Sequence, residues 1–327
     1  MASPTPSIRW GIIGCGDVCE KKSGPAYQQT PAFELYAVSA RSPGKAQDFA
    51  RRHSVPHYYE TAQQLIDDPS IDAIYIATPP DSHLELALLV AKAKKICCIE
   101  KPMALNFIQC QQIVDAFESQ KLELFVAYYR RSLPGFIALK NALDNGKIGR
   151  IRQISWHYSR PPSDKDLSQT QNWRTDKSIA LGGYFEDIAS HGLNLMSYFI
   201  GPAIHAQGIC SNQQQLYSAH DAIVANLAFE NNVTGSASWN FGSYLYQDKM
   251  QIIGESGVMD FAVFGDSPAT IATRDDSQVI NMHTPNPIQG PFVQAIADHL
   301  NGTSIHPSQG ESAGHTNWIM DKILGVL

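Results

Sequence analysis

The chain is predicted to be an α/β protein of two domains: a doubly wound parallel sheet over residues 1–127, then an α+β domain over 128–327 built on a largely antiparallel open sheet. Three observations predict this. The first third alternates short apolar runs with stretches of helical spacing, the arrangement that gives parallel strands joined by crossover helices. Beyond Ala127 strands dominate and are joined by hairpin turns. A length of 327 residues is also more than one hydrophobic core usually serves.

In the first domain the apolar runs are Ile8 to Ile13, Phe33 to Ala40, Ile71 to Ala77, Ile96 to Ile99 and Leu122 to Ala127. Between them Pro43 to His53, Thr61 to Asp67, His83 to Lys94 and Phe107 to Gln120 carry apolar residues at helical spacing. In the second, Pro134 to Asn145 reads as a helix stopped by Asn145-Gly146. Strands are expected at Ile151 to Ser159, His205 to Ser211, Asp221 to Phe229, Val233 to Trp239, Asp248 to Gly254 and Val258 to Val263, with hairpin turns at Glu230 to Asn232 and Glu255 to Gly257. Helices are expected from Gly182 to Ile200, packed on one face of that sheet, and at Gln289 to Asn301 and Gly310 to Leu327.

Composition narrows the function classes. A hydrophobic content of 43% with 17% charged residues is that of a globular protein. The formal net charge of −6 argues against a nucleic-acid or anionic-membrane surface, both of which need a concentrated basic field. Small-molecule partners are favoured. No apolar run reaches the roughly 18 residues of a membrane-spanning helix, and Met1 to Ser7 reads as a polar lead without the apolar stretch of a signal peptide. The six cysteines show no framework spacing, so reduced thiols and a cytoplasmic location are expected.

The run from Gly11 to Cys19 gives strand, tight turn and helix start. Gly14 permits the turn, Gly16 lets the backbone approach a pyrophosphate, and Asp17 and Val18 open the helix whose N–H groups would meet its charge. Cys19 stands where a third Gly or Ala is usual. The second strand ends in Val38-Ser39-Ala40-Arg41-Ser42, with no Asp or Glu for ribose hydroxyls. Arg41, Ser42 and Lys45 suit a 2′-phosphate instead, so NADP(H) is preferred and NAD(H) is the alternative.

Ligands of open α/β sheets bind at the carboxyl ends of strands. Two such ends carry polar groups here: Thr78-Pro79 with His83 after one strand, and Glu100-Lys101-Pro102 after the next. Lys101 is thereby placed at the expected nicotinamide position, able to share a proton with a substrate hydroxyl or polarise a carbonyl. On the Gly182 to Ile200 helix, Asp187, His191 and Asn194 stand at i, i+4 and i+7 and form one polar stripe. An Asp four residues before a His favours imidazolium and can fix the ring. A metal reading lacks third and fourth ligands, and no metal is expected.

Together with Tyr129-Arg130-Arg131, Trp173-Arg174 and the Gly182-Gly183 lead into Asp187 and His191, these motifs resemble the glucose-fructose oxidoreductase, inositol dehydrogenase and rhizopine catabolism family, written Gfo/Idh/MocA. The resemblance runs over nearly the whole chain. It implies a Rossmann domain followed by a substrate-binding domain whose sheet forms homodimers or homotetramers. It also implies that Lys101 contacts cofactor and substrate, that Asp187 faces the substrate and that His191 transfers a proton. Asn194 departs from the Asp of many members. Tyr129, Arg130, Trp173 and Arg174 are expected at the substrate, with Tyr128, Trp156, His157 and Tyr158 as further cleft candidates.

The activity expected is reversible hydride transfer between nicotinamide and a carbohydrate-like hydroxyl or carbonyl compound. Two alternatives stand beside it. An NAD-dependent glycosidase would use transient oxidation without net redox change, and a non-catalytic dinucleotide-binding regulator would dispense with Lys101, Asp187 and His191.

Overall fold

The structure is a computed structural model that describes residues 7–170 and 172–327; apart from Ser7, the polar lead lies outside the described residues. It divides into two compact units, Met1–Leu133 with Pro285–Gly314, and Pro134–Thr284 with His315–Leu327. Among the described residues no helix is long and apolar enough to cross a membrane.

Six strands, counted over the described residues, make the sheet of the first unit: β1 (Ile8–Ile13), β2 (Phe33–Ser39), β3 (His57–Tyr59), β4 (Ala73–Ile76), β5 (Ile96–Ile99) and β6 (Leu124–Val126). All pairs are parallel in the order β3-β2-β1-β4-β5-β6, the doubly wound order of Rossmann folds, with its reversal between β1 and β4. Helices α1 (Gly24–Gln29), α2 (Pro43–His53), α3 (Ala62–Asp67), α4 (His83–Lys92) and α5 (Phe107–Glu118) connect them. Every residue of β4 is buried, as expected of a strand covered on both faces. The three-residue β3 was not expected: His57-Tyr58-Tyr59 is too short to show a period.

The expected domain boundary at 127/128 is corrected. Residues 285–314 belong to the first unit because their backbone closes on β6. Ser308 Oγ donates to the Val126 carbonyl at 2.7 Å, the Val126 N–H donates to the Ser308 carbonyl at 3.2 Å, and Phe125 bridges Gln309. The Phe125 ring makes near-perpendicular contacts with the rings of His299 and His306, and Arg131 Nη1 donates to the Pro307 carbonyl at 2.8 Å. The helix Gly290–Leu300 falls in this segment.

The second unit is built on β7 (Ile151–Ser159), β8 (Ala203–Ser211), β9 (Ala222–Phe229), β10 (Thr234–Asn240), β11 (Gln247–Gly254), β12 (Gly257–Phe261), β13 (Ala269–Thr273) and β14 (Ser277–Ile280), in the order β14-β13-β12-β11-β7-β10-β9-β8. Only β7 and β10 pair in parallel among the described residues. The short, Thr- and Ser-containing β13 and β14 were not expected. The remaining helices are α6 (Pro134–Asp144), α7 (Asp164–Leu167), α8 (Tyr184–Ile200), α9 (Gly290–Leu300) and α10 (Gly310–Leu324).

Helix α8 lies directly on β7. A Cβ at Gly192 would come within 2.1 Å of the Trp156 ring, and Trp156 is fully buried with its indole N–H donated to Asp248 at 2.8 Å. Trp156 is therefore core, not cleft, and His157 on the opposite face of β7 is exposed beside Ser238.

Two outcomes follow from this packing. Gly192→Ala should destabilise the second unit by about 1–3 kcal/mol through overpacking, read as a lowered denaturation midpoint by circular dichroism. In the first unit, burial pushes the His306 pKa down to about 3 from the ordinary imidazole value of 6.5. The unfolded chain then binds a proton that the native state refuses, so this residue's contribution is complete above pH 6.5 and is lost as pH falls toward 3. Urea titrations at pH 7 and pH 4.5 should show a smaller acid loss for His306→Gln than for the unmodified chain; equal losses would contradict this assignment.

Candidate active site

Beyond β1 the chain turns at Gly14, whose φ of +108° excludes most side chains and whose added Cβ would meet the Ala77 carbonyl oxygen at 2.8 Å. The Gly14 N–H donates to Ser39 at 2.8 Å, so three adjacent strand ends of the sheet meet here. At Gly16 the reason for glycine differs. Among the described residues, nothing apart from its own chain neighbours lies within 4 Å of where a Cβ would be, so no internal packing demands this residue, and open space remains for a close-lying ligand. Helix starts at Asp17 and passes through a π-helical turn, Cys19–Ser23, into α1. The Cys19 thiol donates to the Gly14 carbonyl at 2.9 Å, so the unusual third residue tightens the turn. These residues fit a dinucleotide pyrophosphate.

Arg41 and Ser42 are exposed past the end of β2, and Lys45 is exposed in the first turn of α2. Burial pushes the Cys15 thiol up to about 11, opposed by the charge of Lys45. Glu20 on the π-helical turn is drawn down to about 2, chiefly by the Arg52 guanidinium, which pairs with it at 2.5 Å and ties this helix to α2.

At the ends of β4 and β5 the expected contacts separate into two kinds. Thr78 is partly exposed and Pro79 exposed, with Ser82 Oγ donating to Thr78 Oγ1 at 2.7 Å. His83 and Glu100, expected at the cofactor, make internal hydrogen bonds that tie the strand-end loops together. His83 is fully buried, with Nε2 2.8 Å from the Thr78 carbonyl and Nδ1 3.1 Å from that of Pro102, so one ring joins the two strand-end loops. Burial lowers its pKa, opposed by those carbonyls. Glu100 Oε1 accepts from Tyr75 at 2.5 Å and from Gln289 Nε2 at 3.0 Å, while Oε2 accepts the Lys101 N–H at 3.1 Å. Half-buried Lys101 follows directly, before a cis peptide to Pro102. Gln289, the residue before α9, was not expected; 189 positions separate it from Glu100, and no local pattern signals it. Tyr129 and Arg130 are buried, the guanidinium 4.9 Å from the Tyr129 ring centre.

In the second unit, α8 carries Asp187 and His191. Asp187 Oδ2 accepts from Arg174 Nε at 2.6 Å, and the same guanidinium lies 4.3 Å over the Trp173 ring. Three expected substrate residues are thus brought together. His191 is 6% exposed and meets the Phe264 ring edge-on at 5.8 Å. Phe264 is held in turn by Asp248, which accepts its backbone N–H at 2.6 Å; neither was singled out from the sequence. Asn194 leaves the expected polar stripe: it is buried and donates to Thr316 Oγ1 of α10 at 3.0 Å. Among the described residues no group of three or more His, Cys, Asp and Glu side chains is placed to hold a metal ion.

Residues 8–128 match the model of an oxidoreductase family with an NAD-binding Rossmann fold, and residues 136–260 match the GFO/IDH/MocA C-terminal domain. The chain belongs to the GFO/IDH/MocA family. An oxidoreductase of Formosa agariphila is 35% identical over 98% of this chain and 99% of its own length. A myo-inositol 2-dehydrogenase of Thermotoga maritima is 26% identical over 76% of this chain and 74% of its own. Among solved structures, a levoglucosan dehydrogenase in complex with NADH and levoglucosan superposes with a TM-score of 0.84 at 23% identity, over 98% of this chain and 96% of that one. Like its family, this GFO/IDH/MocA member is an NAD(P)-dependent oxidoreductase.

The two glycines separate folding from binding. Gly16→Ala should leave the thermal midpoint within a degree or so yet weaken NAD(P)H binding about tenfold, since about 1.4 kcal/mol suffices; Gly14→Ala should lower the midpoint itself. Fluorescence titration alongside a thermal melt reads both, and unchanged affinity in Gly16→Ala would remove that residue from the nucleotide site.

Proposed function

We propose that this chain catalyses reversible oxidation of a carbinol carbon in a sugar, polyol or related ring compound, with Lys101 and His191 handling the proton. The observation that carries this reading is the anchoring of Lys101: its backbone N–H is held by buried Glu100 at the carboxyl end of β5, on the same sheet whose β1 end carries the glycine turn. The names of the relatives support the substrate class, one an inositol dehydrogenase and one a levoglucosan dehydrogenase.

Gly14, Gly16, Asp17 and Val18 would hold the pyrophosphate, and Thr78 and Pro79 would line the cofactor at the end of β4. The nicotinamide, when bound, supplies the two-electron acceptor or donor at its C4. In the oxidative direction His191 accepts the hydroxyl proton at a ring nitrogen while the Lys101 ammonium stabilises the developing alkoxide; in reduction the same groups act in reverse. Asp187, held by Arg174, presents its remaining acceptor capacity to a second substrate hydroxyl, and Tyr129, Arg130 and Trp173 complete the substrate contacts. NADP(H) is the preferred cofactor because Arg41, Ser42 and Lys45 supply donors at the β2 end where no acid stands.

Self-association as a dimer or tetramer is assigned to the second sheet, on which Ile204, Ile209 and Val224 are exposed. A cytoplasmic location fits six cysteines whose spacing forms no disulfide framework.

Absorbance of the reduced nicotinamide, followed with each cofactor against sugars, inositols and other polyols, tests the reaction. Lys101→Ala should lose about 10²–10⁴-fold in kcat while binding NADPH within a few-fold of the unmodified chain; near-normal turnover would remove Lys101 from the chemistry. Arg41→Ala should weaken NADPH about tenfold or more and leave NADH affinity unchanged. An equal loss for both cofactors would overturn the phosphate assignment.

A further inference from the structure

Within the second unit, a cavity of about 540 Å³ is lined by Lys165, Asp166, Asn172, Trp173, Thr175 and Tyr217, among others, a volume typical of small-molecule sites. It adjoins the candidate substrate residues through a single turn. Asn172, Trp173 and Thr175 line it, while Arg174 between them pairs with Asp187.

The walls are fixed before any ligand arrives. Asn172 Oδ1 accepts the Arg174 N–H at 3.0 Å, and its own N–H donates to Thr175 Oγ1 at 3.2 Å. Asp166 is 3% exposed and accepts from the Ser163 N–H and Oγ, both at 2.8 Å, and from the Tyr184 hydroxyl at 2.6 Å. Tyr217 packs edge-on against Tyr184, yet its hydroxyl is buried with no hydrogen-bond partner among the described residues. A buried hydroxyl left in that state is costly, and Tyr217 is one of the residues that line the cavity.

The lining chemistry narrows the ligand. An indole offers a flat apolar surface to the C–H face of a saturated ring, and the surrounding amide, hydroxyl and carboxylate groups offer donors and acceptors to its hydroxyl rim. Arg160 lies 3.4 Å from Asp166 and offsets its charge, which favours a neutral ring over a strongly charged one. We infer that this cavity is a subsite for a second hydroxylated ring, so that the substrate class is a glycoside of at least two rings. This rests on the proposed oxidoreductase reading and names its substrate class.

The test uses the full chain with NADP+ or NAD+. Glucose, xylose and myo-inositol serve as single rings, and maltose, cellobiose, isomaltose and gentiobiose cover both anomers of two linkages. Turnover and saturation-transfer NMR are measured in parallel. At least one disaccharide should exceed its monosaccharide about tenfold in kcat/KM. Tyr217→Phe, which removes one oxygen, should erase most of that advantage through KM and leave the single-ring constants unchanged. Thr170→Trp, on the exposed part of the lining, should erase it by obstruction. Disaccharides no better than single rings in either measurement, or an advantage untouched by both variants, would overturn the subsite while leaving the oxidoreductase reading intact. Saturation transfer to a disaccharide that both variants abolish, with no turnover of any compound, would uphold the subsite and overturn the redox reading.

Discussion

A carboxylate withdrawn from water must find its hydrogen bonds inside the protein, and Glu100 finds three of them from three separate parts of the chain. Tyr75 comes from the neighbouring strand, Gln289 from the residue before α9, and the third donor is the backbone of Lys101 itself. The lysine therefore does not hang from a free loop. Its position is set by a group that cannot move without stranding a charge, and His83 adds a second restraint by joining the loops after β4 and β5 through one buried ring. Precision at the end of this sheet comes from polar groups hidden beneath it.

The second unit reaches a comparable result by packing. Gly192 brings α8 onto Trp156, Asp248 fastens the Trp156 indole and the Phe264 backbone, and Phe264 meets the imidazole of His191. Arg174 fixes Asp187 from the other side while stacking on Trp173. The helix register sets which residues share a face, but the sheet below determines how closely that face approaches and in which orientation its side chains are held.

What the sequence discloses follows from the range of the interactions concerned. Gly14 and Gly16 act within one turn, and the apolar runs of the parallel sheet are local patterns, so both were legible. Glu100 and His83 were legible as residues at strand ends but not as inward-facing ones, because adjacency in sequence says nothing of side-chain direction across a loop. Asn194 stood on the right helix at the right spacing, and only the distant Thr316 reveals that its amide is spent on internal structure. Gln289 and Asp248 carry no signal of their own. The strands β3, β13 and β14 escaped notice because three to five residues with polar members do not establish a period.

The return of residues 285–314 to the nucleotide-binding unit also bears on how the chain is made. Ser308 closes on Val126 across 182 positions, and Gln289 reaches Glu100 across 189. During synthesis the ribosome must therefore release the whole second sheet before the first unit has its last helix and its lysine anchor. Domains usually mature in the order in which they emerge; here the domain begun first is completed only after the second sheet has been made. The capacity to position Lys101 is acquired only once residue 289 has emerged, so a product stopped before it lacks that anchor even when every residue of the parallel sheet has been made.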